Sequence, residues 1–249
     1  MKTLEDFFKE NPAVALGFSG GADSAYLLYA GIRAGADIGV YFVKTAFQPR
    51  SELEDARRMA DELGVVLRVI GGDVFAFPEI VANPPDRCCH CKRALFSRIK
   101  AWSSADGYRL VIDGTNASDR FEDRPGMRAL RELGIRSPLR ECGLSKDEIR
   151  RLSREAGLFT WDKPAYSCLA TRIETGIGIT AEALEKVERA EEALHGMGFS
   201  DLRVRLRGEN AVIQLPDGQL ARAFGMRSAI AERLKPDFGS VLLDLEGRK

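Results

Sequence analysis

The chain has 249 residues, 45% hydrophobic and 30% charged, the balance of an ordinary globular protein with room for one large domain or a large and a small one. Lys+Arg and Asp+Glu both number 37, so the net charge is zero and the basic excess that marks a nucleic-acid binder is missing. No apolar run nears the roughly 18 residues that span a bilayer, and the opening MKTLEDFFKENP has neither the apolar core nor the cleavage site of a secretory signal. Five cysteines, an odd number in a chain too long to need disulfide staples, point to metal-binding or catalytic thiols and to the cytoplasm.

In chain order, a short apolar run at 14–18 is followed by Ser19-Gly20-Gly21-Ala22-Asp23-Ser24 and then by a helix-like run from Ala25 to Ala30. Strand, glycine turn and helix start together make an anion site, because glycine allows a close approach and the helix N-terminus offers free N–H groups and a positive dipole end. Ser19 and Ser24 add hydroxyl donors, and Asp23 is read as positioning a Mg²⁺ or fixing the loop. The spacing is neither G-x-x-x-x-G-K-[ST] nor G-x-G-x-x-G. It resembles the PP-loop, S-G-G-x-D-S, of enzymes that cleave ATP to AMP and pyrophosphate while adenylating a substrate.

Nearly continuous apolar runs at 38–43, 65–70 and 110–112 suit strands of a parallel sheet covered on both faces. Helical faces alternate with them. Leu53, Ala56, Met59, Ala60 and Leu63 form one behind a capping box at Ser51-x-x-Glu54, and Leu95, Phe96, Ile99 and Trp102 form another. The alternation predicts a Rossmann-like, doubly wound parallel α/β sheet over residues 1–160, with ligands at the carboxyl ends of its strands. Asp113-Gly114-Thr115-Asn116 follows a strand in the same way and is a second candidate for the ATP site, with Asp119, Asp123 and Arg124-Pro125-Gly126 downstream. Ser145-x-x-Glu148 caps a helix that stops near Gly157.

Periodicity fades over 161–179, read as a linker carrying Cys168. Residues 180–249 then predict a small α+β domain. It has a helix with Leu184, Val187, Leu194 and Met197 on one face, a hairpin turning at Gly208-Glu209-Asn210, a helix near 220–234 and a last strand at 241–245. In Arg203-Val204-Arg205-Leu206-Arg207 the strand period places all three arginines on one face. That row is either a solvated face or a cationic patch for a phosphate or carboxylate.

Cys88-Cys89-His90-Cys91 contains a C-x-x-C pair. From residue types alone, Cys88, Cys91 and Cys168 suit a structural zinc completed by Cys142 or His90, an iron–sulfur cluster with one open iron, or unrelated thiols. Cys168 acting alone, giving up its own sulfur to become dehydroalanine, is a further reading. Cys89 and Cys142 are read as bystanders.

Together, F-S-G-G-A-D-S (18–24), P-P-D-R-C-C-H-C-K (84–92), D-G-T-N-A-S-D (113–119), R-P-G-M-R-A-L (124–130), S-P-L-R-E (137–141), W-D-K-P-A-Y-S-C-L-A-T-R (161–172) and R-V-R (203–205) span most of the chain. They resemble the PP-loop ATP-dependent sulfur transferases that help make the nickel-pincer nucleotide cofactor of lactate racemase. The resemblance implies that ATP adenylates a carboxylate of a pyridinium-3,5-dicarboxylate mononucleotide, with release of pyrophosphate, and that sulfur then displaces AMP to give a thiocarboxylate. It implies that Ser19, Gly20, Gly21, Asp23 and Ser24 hold the pyrophosphate, that Cys168 bears the sulfur, and that Arg203 and Arg205, with Arg172 of the cysteine motif, bind substrate or phosphate. Cys88, Cys91 and Cys168 together match the family's three-cysteine version, which implies a [4Fe-4S] cluster fed by an unidentified sulfide source. Tyr166 and Thr171 are small variations within the cysteine motif. Homo-oligomers, often hexamers, are implied as well. A tRNA thiolase with the same chemistry, or a single-use Cys168 without a cluster, are the alternatives.

Overall fold

The structure, a computed structural model, describes residues 3–119, 125–164 and 167–248, so Asp123, Arg124 and Tyr166 lie outside the described residues. In chain order it comprises α1 (Leu4–Glu10), β1 (Ala13–Gly17), α2 (Ala22–Arg33), β2 (Asp37–Lys44), α3 (Arg50–Glu62), β3 (Leu67–Gly71), α4 (Pro78–Val81) and α5 (Arg87–Ala105). These are followed by β4 (Val111–Asp113), α6 (Pro125–Glu132), α7 (Pro138–Glu141) and α8 (Lys146–Glu155). A 3-10 turn at Leu169–Arg172 leads to α9 (Ala181–Gly196), β5 (Arg203–Arg207), β6 (Asn210–Gln214), α10 (Asp217–Gly225), α11 (Arg227–Leu234) and β7 (Val241–Leu243). The chain divides into two compact units: residues 1–74 with 86–166, and residues 75–85 with 167–249.

The first unit is built on an all-parallel sheet of order β3-β2-β1-β4. Side chains alternate along its strands. Val14, Leu16, Val40, Phe42 and Ile112 pack with α1, α2, α3, α7 and α8, while Ala15, Tyr41, Val43 and Val111 pack with α5 and α6. Two covered faces make the sheet doubly wound, as the apolar runs predict. The edge strand departs from that rule. Of β3 only Ile70 is buried, Val69 is 41% exposed and the preceding Val66 81%, because a strand with one neighbour receives less helix cover. Trp102 likewise leaves its predicted apolar face and is 50% exposed at the end of α5.

Helix starts test the capping predictions. Ser145 caps α8 as expected, its hydroxyl accepting from the Glu148 N–H while the Glu148 carboxylate accepts from the Ser145 N–H. Ser51 does not cap α3: Pro49, which has no N–H to satisfy, holds that position, so Ser51 falls inside the first turn. A capping box that the sequence reading missed, Thr3 with Asp6, opens α1.

The second unit carries a three-stranded sheet of order β5-β6-β7, with β5 and β6 antiparallel. Gly208 takes φ +57° as the first of two residues in the β5–β6 turn, a conformation that suits glycine. Val204, Ala211, Ile213 and Leu215 form its core with Ala190, Leu194, Ile230 and Leu234 of the helices. The predicted helix at 220–234 is two helices, broken where α10 ends in Gly225 and Met226. The last strand stops at Leu243, and Leu245 is exposed. Ahead of β5, the 161–179 stretch is not featureless, because Ile173 bridges to Leu206 and Asn83 donates to the carbonyls of Glu174 and Ile177.

Candidate active site

The Ser19–Ser24 loop joins the carboxyl end of β1 to the start of α2. Gly20 sits at φ +72°, and a Cβ there would meet the Ala56 N–H and the Glu52 carbonyl of α3 at 3.0 Å, so position 20 excludes a side chain. Ser19 and Ser24 hold the turn closed through their hydroxyls, 3.0 Å apart, and Ser24 Oγ donates to the Gly21 carbonyl. Gly21 caps α2 without a side chain, leaving the first N–H groups of the helix facing outward for an acceptor.

A cavity of about 150 Å³ opens beside this loop. Its wall includes Asp23, Glu52, Asp55, Lys146 and Lys163. Lys146 Nζ lies 3.1 Å from Asp23 Oδ2, while Asp23 Oδ1 is buried and has no hydrogen-bond partner among the described residues. A buried carboxylate oxygen without a donor is costly, and a cation is the group that relieves it. On that observation the residues fit a Mg²⁺ at Asp23. Lys163 pairs with Asp55, and burial holds its ammonium pKa below the usual value while Glu52 pushes it back up.

Neither lysine was singled out as a site residue from sequence. Lys146 had a readable signal: it is the first residue of α8, where the helix dipole disfavours a cation. Lys163 stands within W-D-K-P.

The second strand-end loop meets the first. A Cβ on Gly114 would lie 2.9 Å from the Ser24 nitrogen, so glycine permits this approach too. Asp113 faces inward: it accepts from the Thr115 and Ser137 hydroxyls, the latter at 2.6 Å. Asn116 is buried and accepts from the Ser118 N–H at 2.8 Å. Asp113, Thr115 and Asn116 therefore shape the rim of the loop, and Ser118 Oγ ties it to α8 by accepting from the Lys146 N–H.

Cys88 and Cys91 lie three residues apart in the first turn of α5, Cys88 exposed and Cys91 half-buried. Cys89 is buried against Arg128, whose Nε is 3.3 Å from the sulfur. Cys142 belongs to the core on the opposite sheet face from α5, which removes it from a set with Cys88 and Cys91. Among the described residues no three His, Cys, Asp or Glu side chains are grouped to hold a metal ion. Cys88 and Cys91 belong to the first unit and Cys168 to the second, so each unit by itself holds only part of the three-thiolate set.

In the second unit Cys168 is half-buried just ahead of the 3-10 turn. Arg172 is buried and pairs through two nitrogens with Glu191, at 2.8 and 3.0 Å. The arginine row is uneven. Arg207 pairs with Glu174, and Arg205 donates to Gln214 Oε1 and the Thr171 carbonyl. The Arg203 guanidinium makes no hydrogen bond or salt bridge among the described residues. Burial, together with repulsion from Arg248, Arg172 and Arg205, lowers its pKa to about 10. An anion at Arg203 relieves both penalties.

No protein-family model matches the chain. Over 254 residues it is 37% identical to an uncharacterized protein of Synechocystis sp., covering 99% of this chain and 94% of that one. It is 30% identical over 248 residues to the pyridinium-3,5-bisthiocarboxylic acid mononucleotide synthase of Lactiplantibacillus plantarum, covering 98% and 90% of the two chains. The chain belongs to the family of that synthase. More distantly, the tRNA-specific 2-thiouridylase of Thermotoga neapolitana is 26% identical over 286 residues, covering 94% of this chain and 77% of its own. The synthase family and the thiouridylases are sulfur-transferring PP-loop proteins, and the parallel sheet with its Ser19–Ser24 loop fits that fold. No described helix is long and apolar enough to cross a membrane.

Proposed function

We propose that this protein is an ATP-dependent sulfur transferase that converts a carboxylate of a pyridinium-3,5-dicarboxylate mononucleotide to a thiocarboxylate. The observation that carries the reading is the unpartnered Asp23 oxygen in a cavity shared by the glycine loop and two lysines. The loop N–H groups, Lys146 and Lys163 bind the β- and γ-phosphates. Asp23 would hold a Mg²⁺, which would supply charge neutralisation there. The substrate carboxylate attacks the α-phosphorus and pyrophosphate leaves, which turns a poor electrophile into an acyl adenylate with AMP as leaving group. The Cys168 thiolate then attacks the acyl carbon, expelling AMP and leaving a thioester. Loss of the Cys168 Cα proton with cleavage of its Cβ–S bond frees the thiocarboxylate and leaves dehydroalanine. Arg203, with Arg205, holds the mononucleotide phosphate.

In this reading residues 1–160 activate the carboxylate, 161–179 carry the sulfur and 180–249 hold the substrate. A cytoplasmic setting and a homo-oligomer belong to the same proposal. So does the [4Fe-4S] alternative on Cys88, Cys91 and Cys168, which the one-turn spacing of Cys88 and Cys91 favours.

The test is pyrophosphate release from Mg·ATP with the pyridinium mononucleotide or with tRNA as acceptor. Release and thiocarboxylate formation with the pyridinium compound alone support the reading. Thiolation of tRNA with strong salt dependence would replace it by the thiolase. Iron and acid-labile sulfide on anaerobically purified protein, beside a mass spectrum for dehydroalanine after turnover, decide between cluster and single-use cysteine.

A further inference from the structure

We propose that Glu191 and Arg172 are positioning residues that fix the Cys168 segment for sulfur transfer. The proposal rests on the reading of Cys168 as sulfur donor. Leu169, Ala170 and Ile173 are buried and seat the segment, but its polar groups still need partners of their own. Hydrogen bonds supply them. Arg172 Nη1 donates to the Ser167 carbonyl at 2.8 Å, to Ser167 Oγ at 2.6 Å and to Thr171 Oγ1 at 3.0 Å. Thr171 Oγ1 donates to the Cys168 carbonyl at 2.8 Å, so Cys168 is gripped through its own backbone and through the residue before it.

The opposite end of the guanidinium is anchored by Glu191 of α9, and the same carboxylate accepts from the Val204 N–H of β5 at 2.8 Å. The Thr171 carbonyl in turn accepts from Arg205 at 3.0 Å. One buried carboxylate thus joins α9, the strand bearing Arg203 and Arg205, and the segment bearing Cys168. A buried ion pair is a poor way to gain stability, since an apolar pair of the same volume often does as well. What the planar fork supplies is a fixed direction. Sulfur transfer needs that, because a thiol displaced by about 1 Å from its acyl carbon reacts roughly 10²-fold more slowly.

Sequence reading assigned Arg172 to substrate or phosphate. With its fork on Glu191 and its remaining nitrogen on Ser167 and Thr171, it acts on the donor segment.

The experiment compares wild type with Thr171→Val, Ser167→Ala and Glu191→Gln in the full chain. Four quantities are read: alkylation of Cys168 by iodoacetamide resolved by mass, substrate-dependent pyrophosphate release, thiocarboxylate formation, and Tm. Freed from its clamp, Cys168 should alkylate several-fold faster while thiocarboxylate forms about tenfold more slowly, and pyrophosphate release in Thr171→Val and Ser167→Ala stays near wild type. Slower transfer and faster alkylation with Tm and pyrophosphate release preserved is a signature that general loosening does not give, since loosening lowers Tm and both half-reactions together. Unchanged alkylation and transfer in Thr171→Val and Ser167→Ala would overturn the proposal, and these two variants decide it even where Glu191→Gln fails to fold. If wild type makes no thiocarboxylate, the functional reading fails separately, and the alkylation rates still test the clamp.

Discussion

The glycine loop at Ser19–Ser24 and the cysteine segment at Ser167–Arg172 are both polar turns leading into a helical stretch, yet their hydrogen bonds are organised in opposite ways. Around the first, the α2 N–H groups and one oxygen of Asp23 are left for a ligand, with Lys146 and Lys163 held at the cavity wall by Asp23 and Asp55. Around the second, the Arg172 guanidinium, the Ser167 and Thr171 hydroxyls and the Glu191 carboxylate bind one another. A site that must receive a charged ligand keeps its polar groups available, whereas a site that must aim one atom uses them internally. The same contrast separates Asp113, which takes two hydroxyls, from Asp23, and Arg205 from Arg203.

The largest expected effect is at Asp23. Asp23→Asn should lower pyrophosphate release by roughly 10²-fold, the scale for removing one preorganised charge contact, with little change in Tm because Oδ1 has no protein donor to lose and the amide oxygen still accepts from Lys146 in a part-exposed pair. A large fall in Tm with modest kinetic loss would make Asp23 a loop-fixing residue, as its second sequence reading has it. Arg203→Gln comes next. It should weaken mononucleotide binding about ten- to a hundredfold, the loss of one charge-assisted hydrogen bond, without lowering Tm, because Arg203 is desolvated and faces like charges. A Tm drop with unchanged KM would place Arg203 among the internally used groups.

Lys163 gives a smaller effect with a definite sign. Burial lowers its pKa from 10.5, so between its folded pKa and 10.5 the unfolded chain binds more protons, and wild-type stability rises with pH in that window. Denaturant midpoints of wild type and Lys163→Met taken up to pH 10.5 should therefore diverge, wild type gaining; parallel curves would mean that the lysine is well solvated. The smallest effect separates the two serines: Ser145→Ala should cost about 1 kcal/mol, while Ser51→Ala should stay within roughly 0.5 kcal/mol because it caps nothing.

Much of the first unit was legible in sequence because β1 and β2 are buried on both faces and the glycine loop needs its residue types locally. What escaped depends on long-range pairing. Nothing local to Val65–Ile70 says that it becomes an edge strand, and nothing near Ser51 outweighs a capping pattern except Pro49, whose missing N–H suits a helix start. Lys146 and Lys163 are 123 and 140 residues from Asp23 in sequence and meet one cavity only through the fold. The role of Arg172 was hidden for the same reason: its partner Glu191 lies on the next helix, where it resembles any other charged residue.

The central claim is that carboxylate activation and sulfur delivery belong to different residues. Its most direct test is a Cys168→Ala variant given Mg·ATP and the pyridinium dicarboxylate mononucleotide, with pyrophosphate and thiocarboxylate measured in the same reaction. The account predicts that pyrophosphate still forms while thiocarboxylate falls to background. Thiocarboxylate at the wild-type level, or pyrophosphate lost along with it, would contradict the account.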